Sequence, residues 1–412
     1  MTRTALDMTE IKILHLSDLH YDSSKPKDTQ IILDALWKDL DNFKGIDFIL
    51  FSGDLVKAGD KKDEFEKASR VFIDPLLKKT NLSENDFFIT PGNHDIQMSK
   101  IDEIIEEGLK SKLKDRESVN EFLDRQIDEG FKHIERLENF NDFKTRFKTP
   151  YTVTSNKLFT TYSIQKKNIK IGIACLNTCW RATGAPDDGD RGKLLIGERQ
   201  IDAALTDIKN CDIKIALFHH PLDCLTEYDQ GDAERWLSKE FDFLFCGHIH
   251  NSNLKLVQNF ENKAALVQCG CLNKGRKYYN GYSVLCFNAQ ESKGTIYIRS
   301  YFDDRSAFDK AVNKCPEGKF SIDMKRKADG VNNSQRERSD TKDKEGVVEN
   351  ETGELNVKHL SRILKENLER LWETSDKEHS LQGSKKKQIV NNKDCQIDKQ
   401  VIIEKVDGNV NM

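Results

Sequence analysis

Through the first two thirds of the chain, short apolar runs alternate with polar clusters, and five of the runs end at clusters that hold Asp, Asn or His. Residues 11–16 (IKILHL) lead into Asp18, 48–51 (FILF) into Asp54 and 87–89 (FFI) into Asn93; 213–218 (IKIALF) lead into His219 and 241–245 (FDFLF) into Gly247. Runs this short, rich in β-branched and aromatic residues, predict central strands. Between the first two, residues 29–43 carry Ile32, Leu33, Leu36, Trp37 and Leu40 at three-to-four spacing, which predicts a helix. Strands alternating with helices predict an α/β sheet, where ligands gather beyond the carboxyl ends of strands. Each of the five clusters stands at such an end.

Residues 101–147 break this rhythm. They are charged and free of proline, and Ile105, Leu109, Leu113, Phe122, Leu123, Ile127, Phe131, Ile134 and Leu137 form a broken stripe. Two or three helices inserted straight after the third cluster are expected, either as a cap over the site or as a surface embellishment. Strands return at 264–268, 282–287 and 295–301. The expected organisation is a catalytic domain over residues 9–305, a disordered linker over 316–356, an amphipathic helix over 357–374 and a polar tail with a short strand over 375–412. The linker is nearly devoid of aliphatic residues. The helix carries Leu360, Ile363, Leu364, Leu368, Leu371 and Trp372 on one stripe, which it cannot bury alone. Docking on the catalytic domain, on a second copy or on a protein partner is therefore expected.

Composition narrows the class. A net charge of -4 gives no whole-molecule attraction to nucleic acid or an anionic membrane. The first residues lack the apolar core of a secretory signal, and no stretch approaches the roughly 18 apolar residues of a membrane span. Cytoplasmic residence without membrane contact is the expectation. The ten cysteines are scattered, several within apolar runs, and read as buried reduced thiols.

The clusters bring chemistry into the picture: Asp18-Leu19-His20, Gly53-Asp54, Gly92-Asn93-His94-Asp95, His219-His220-Pro221 and Gly247-His248-Ile249-His250 hold six of the ten histidines. Histidine and carboxylate complete oxygen/nitrogen sites for divalent ions, and the set is large enough for two ions with a shared ligand. Taken singly, each cluster is ordinary turn chemistry; their order and position are not. Two ions about 3.5–4 Å apart can share a hydroxide and clamp the oxygens of a phosphate ester. The absence of thiolate ligands favours Mn, Fe, Zn or a mixed pair.

The order D-x-H, G-D, G-N-H-D, H and G-H-x-H resembles the calcineurin-like metallophosphoesterase superfamily over residues 11–301. The His-His-Pro form and the helix after Leu195 look most like its class III cyclic-nucleotide phosphodiesterases. The resemblance implies a β-sandwich flanked by helices, a four-layer αββα fold. It implies that Asp18, His20, Asp54 and His250 hold one ion, and that Asp54, Asn93, His219 and His248 hold the second, with Asp54 bridging. His94 would assist the leaving group, Asp95 would orient His94, and His219 rather than His220 would be the ligand. Arg191, in an acidic loop with Asp187, Asp188 and Asp190, and Arg276 with Lys277, Tyr278 and Tyr279 are either solvated surface or contacts to substrate.

The expected activity is that of a metal-dependent phosphodiesterase acting on a small phosphodiester, a nucleotide or a cyclic nucleotide. A DNA nuclease like the SbcD branch of the same superfamily is the second reading, and the acidic balance argues against it. A third is an effector or adaptor subunit that recruits a partner through the C-terminal helix and tail.

Overall fold

The apolar runs form the centres of two sheets in the computed structural model, which describes residues 10–324 apart from 130–131, 133, 186–188, 249–252, 259–262 and 274–279. β1 (Glu10–Leu16), β2 (Phe48–Phe51) and β3 (Phe87–Ile89) pair in parallel. Helix α1 (Pro26–Asp39), with proline in its first turn, connects β1 to β2. A run of α2 (Lys62–Ala68), a π-helical turn (Ser69–Ile73) and α3 (Asp74–Thr80) connects β2 to β3.

The insertion after β3 is helical, as its stripe predicts: α4 (Glu103–Lys112), α5 (Arg116–Glu129) and α6 (Glu138–Lys144). Asp102 caps α4 by accepting from the N–H groups of Ile104 and Ile105.

The second sheet begins with the antiparallel strands β4 (Thr152–Ser155), β5 (Phe159–Lys166) and β6 (Ile169–Leu176). Helix α7 (Glu198–Ile208) leads to β7 (Ile213–Leu217), and α8 (Glu227–Glu240) to β8 (Phe243–Cys246); β6, β7 and β8 run in parallel. β9 (Asn253–Gln258) and β10 (Lys263–Gln268) complete this sheet, β10 lying parallel to β8.

The chain then returns to the first sheet. β11 (Gly281–Asn288) pairs antiparallel with β1, and β12 (Lys293–Phe302) with β11; β13 (Ala307–Lys310) and β14 (Lys319–Asp323) both pair with β12.

The folded unit thus runs past residue 305. Residues 319–323, expected to be linker, form an edge strand in which only Ile322 is buried. Ladder hydrogen bonds to β12, not an apolar stripe, place it there. The expected helix at 357–374, the tail at 375–412 and the linker from residue 325 onward lie outside the described residues.

Alternation along the strands builds the layers. Ile11, Ile13, Phe48, Leu50, Ile215, Leu217, Phe243 and Phe245 point into one core shared by the two sheets. Their neighbours Leu14, Leu16, Ile49, Phe51, Ala216 and Leu244 face the helices. Both faces of the parallel strands are therefore dry, which is why these runs read as continuously apolar. The arrangement is the expected one of two sheets flanked by helices. Among the described residues, no helix is long and apolar enough to cross a membrane.

Candidate metal centre

The carboxyl ends of β1, β2, β3, β7 and β8 bring four of the clusters, and the described half of the fifth, to one place. Asp18 and Asp54 are 1% exposed, His20 is 9% exposed and His219 is fully buried. One carboxylate oxygen, Asp54 Oδ2, stands 3.4 Å from His219 Nε2 and 3.8 Å from His20 Nε2. Asp18 Oδ1 is 3.5 Å from the same His20 nitrogen. On the other side, Asn93 Oδ1 lies 3.0 Å from His219 Nε2 and 3.1 Å from His248 Nδ1, and those two ring nitrogens are 3.2 Å apart. His250 lies outside the described residues.

The backbone is bent to reach this geometry. Asp18, His20, Asp54 and His248 all adopt positive φ, at 55°, 46°, 57° and 67°. Non-glycine residues in that region cost roughly 1 kcal/mol or more each, and they persist where the surroundings hold them. Here the holding contacts come from the ends of other strands: the N–H of Asp18 donates to the Gly53 carbonyl, that of His20 to the Asp54 carbonyl, and that of His248 to Asp18 Oδ2. The motif glycines serve close approach. A Cβ on Gly92 would stand 2.1 Å from Asp54 Oδ1, and one on Gly247 would stand 2.0 Å from Ser17 Oγ.

The donor set suits a divalent cation. His219 Nδ1 donates to the Ser52 carbonyl at 2.7 Å, so a neutral His219 presents only a lone pair at Nε2. That lone pair meets the Asn93 amide oxygen and the Asp54 carboxylate, an assembly of acceptors that repel one another unless a proton or a cation lies between them. Burial disfavours a charged His219, yet the Asp54 carboxylate beside it, together with Asp18 and the Ser52 carbonyl, outweighs this and lifts its pKa to about 9. The site thus draws positive charge, and a metal ion there competes with that proton. Nitrogen and carboxylate or amide oxygen are donors for Mn, Fe or Zn.

His220, the neighbouring candidate, is placed differently. Its ring lies near those of His219 and His248, and one nitrogen on each of the three falls within 4.8 Å of the others. However, its Nδ1 is 3.0 Å from Thr178 Oγ1, and that hydroxyl already accepts the backbone N–H of His220. Thr178 thus holds the ring at Nδ1. Burial, and then the neighbouring imidazoles, hold its pKa well below the ordinary value.

His94 does not depend on Asp95 in the way expected. Asp95 is fully buried and accepts from backbone groups: the N–H of Asp54 and of Gly92 at Oδ2, both at 2.9 Å, and the N–H of Val56 at Oδ1, at 3.0 Å. It clamps the loop after β2 to the loop after β3. The His94 ring is oriented by the Lys57 carbonyl, 3.1 Å from Nδ1, while its backbone N–H donates to Asp54 Oδ1 at 2.7 Å. A carbonyl partner carries no sequence signal, which is why Lys57 went unread. Ser52 and Thr178 were missed for a similar reason, since they act beside the motif residues and not within the pattern.

A cleft of about 570 Å³ opens beside His20 and His94. Its described walls come from the first turns of α1 and the end of β12, and none of its lining residues lies in 101–147. The insertion packs elsewhere: Arg116 pairs with Glu198 on α7 at 2.7 Å, and the Tyr228 hydroxyl donates to the Leu113 carbonyl at 2.7 Å. Arg191 pairs with Asp223 at 2.7 Å and does not line the cleft, and Asp190 accepts from Thr183 and Gly184. Asp187, Asp188, Arg276, Lys277, Tyr278 and Tyr279 lie outside the described residues.

A family model described as calcineurin-like phosphoesterase matches residues 11–252. Among curated proteins, YydB of Bacillus subtilis (strain 168), an uncharacterized metallophosphoesterase-like protein, is 25% identical over 264 residues, covering 61% of this chain and 51% of the relative. The chain therefore spans about half the length of that relative. Among solved structures, GAP50, the anchor in the inner membrane complex of Plasmodium, is 15% identical with a TM-score of 0.44 over 77% of this chain and 90% of that one. A dimetal phosphatase from Danio rerio is 11% identical with a TM-score of 0.43 over 76% and 99% of the two chains.

Proposed function

Since the chain belongs to the calcineurin-like phosphoesterase family, we propose that it is a phosphodiesterase working with two divalent ions on a nucleotide or cyclic-nucleotide substrate. The observation that carries the two-ion reading is Asp54, whose Oδ2 stands between His219 on one side and His20 on the other. Asp18, His20 and Asp54, with His250, hold one ion. Asp54, Asn93, His219 and His248 hold the other. When bound, such a pair supplies charge neutralisation on the phosphoryl oxygens and a nucleophile at neutral pH.

The chain's own groups do the remaining work. His94 lines the cleft, with Nδ1 against the Lys57 carbonyl, and it is the imidazole placed to serve the leaving oxygen. When protonated, it gives its proton to the leaving oxygen as the P–O bond breaks. Asp95 keeps the two loops in register, so that His94 and Asp54 move as one unit. The diester and nucleotide preference is supported by the motif resemblance and by a cleft within the size range of small-molecule sites.

The test is a substrate panel for the metal-reconstituted full chain: cyclic nucleotides, a generic diester, and linear single- and double-stranded DNA. Turnover of the small diesters is expected, with DNA refractory and Asp54→Asn inactive. Wild-type rates in Asp54→Asn would sink the two-ion reading, and DNA as the preferred substrate would sink the small-diester reading.

A further inference from the structure

We propose that substrate choice is made on the leaving-group side of the centre, by a nucleobase subsite in which Ile31 and Tyr301 are the specificity-determining residues. The inference rests on the reading of His94 as the leaving-group acid, because that role places the departing oxygen in the cleft that His94 lines.

Three observations converge on a flat ring with a polar edge. First, Ile31 is 52% exposed although it is a large aliphatic residue on a helix whose Ile32, Leu33 and Leu36 are buried, and it lines the cleft. Its apolar surface is left for something else to cover. Second, Tyr301 lines the same cleft, and its ring is held edge-on by Phe308, with centroids 5.3 Å apart. A pre-oriented aromatic ring loses little freedom when a second ring packs on it. Third, two carboxamides, Asn273 and Asn280, line the cleft, and the Asn273 amide is steadied by a hydrogen bond to Thr29 Oγ1 at 3.1 Å. Apolar and aromatic faces with amide groups beside them are the means by which proteins stack a base and read its edge.

The walls are also rigid. Asp39 at the end of α1 takes the Arg299 guanidinium through two contacts, and the Tyr282 hydroxyl donates to it at 2.5 Å. Arg299 lies two residues before Tyr301 on β12, so the same strand that presents Tyr301 also fastens α1, which presents Ile31. Lys57, the lysine whose carbonyl orients His94, has its ammonium on Asp22 at 3.0 Å. Lys25, Asp28 and Asp303 line the cleft as well; the recognition assigned to Ile31, Tyr301 and the two carboxamides is ring packing and amide hydrogen bonding.

Two cyclic phosphates isolate the nucleoside, base and sugar together. 2′,3′-Cyclic AMP and glycerol 1,2-cyclic phosphate undergo the same step: the oxygen of water bonds to phosphorus, one ring P–O bond breaks, and the freed ester oxygen takes a proton. Only the first carries a base. In the metal-loaded full chain, Tyr301→Ala and Ile31→Ser should each lower the ratio of kcat/KM for cyclic AMP over glycerol cyclic phosphate by roughly tenfold or more, the size expected for loss of one stacking face. An unchanged ratio would overturn the proposal. So would wild-type protein that turns over both phosphates with no preference for cyclic AMP. Calorimetric titration with adenosine, which has no phosphate, separates this proposal from the wider one. Adenosine binding that is lost in Tyr301→Ala supports the subsite even if no phosphate ester is turned over. Absence of binding to wild-type protein counts against the subsite even if diesters are hydrolysed.

Discussion

At the scale of single residues, the site separates groups that look alike in sequence. His219 and His220 are adjacent and both fully buried, yet one ring turns Nε2 toward Asp54 and Asn93 while the other is held at Nδ1 by Thr178. The contacts decide the role: Nε2 of His219 faces acceptors that could share an ion, whereas Nδ1 of His220 is taken up by a hydroxyl. His219→Ala should therefore bind about one ion fewer per chain, whereas His220→Ala should keep the wild-type complement, as read by elemental analysis after dialysis against trace metal. Equal loss in both variants would return the two histidines to the same footing. The motif residues could be read in the sequence because their chemistry needs those side chains. The bends at Asp18, His20, Asp54 and His248 could not, since positive φ in non-glycine residues is imposed by contacts with residues distant in sequence. Lys57 shows the same limit, because any residue offers a carbonyl.

At the scale of elements, the strands that could be read in advance are those buried on both faces. Every residue of β2, β3 and β8 is buried, so each reads as an unbroken apolar run. β4 alternates between half-buried and exposed, β14 buries one residue, and neither stands out from a polar loop. The insertion was legible as helices but not in its placement, which depends on contacts such as Arg116 with Glu198. One such contact titrates. Lys144, in the last turn of α6, hydrogen-bonds to the Asn156 carbonyl in the turn between β4 and β5, and burial lowers its pKa to about 8. The folded chain therefore releases this proton more readily than the unfolded chain, whose lysine titrates near the ordinary 10.5. Below pH 8 both states are charged and the folded state bears the full cost of burying the ammonium; as pH rises toward 10.5 the cost fades. Relative to Lys144→Met, wild-type protein should thus gain about 2 kcal/mol of stability between pH 7 and 9.5, measured by urea denaturation. Parallel pH profiles for the two proteins would mean that Lys144 is solvated.

At the scale of the whole molecule, the proposed centre is a seam. Asp18, His20, Asp54 and Asn93 follow strands of the first sheet, and His219 and His248 follow strands of the second. Between the sheets lies an apolar core that carries His15, fully buried, with its Nε2 on Ser52 Oγ at 2.9 Å and burial lowering its pKa to about 3. Above that core, the acceptors of both sheets face one another across the metal position. Without an ion, a proton on His219 offsets part of their mutual repulsion, while four left-handed residues act against closure of the two strand ends; a bound ion would tie the same atoms together. Metal affinity is therefore also folding free energy. At free metal about 100-fold above its dissociation constant, the contribution is about 2.7 kcal/mol. For a domain of this size, that corresponds to a melting shift of roughly 4 °C on chelation. His219→Ala, which leaves the first sheet's ligands intact but removes one from the second, should lose most of this shift, whereas Lys144→Met should retain it. A melting temperature that ignores chelator in wild-type protein would show that the two sheets are held by their shared core alone, and that the strain at the strand ends is borne by the backbone hydrogen bonds of Gly53 and Asp54.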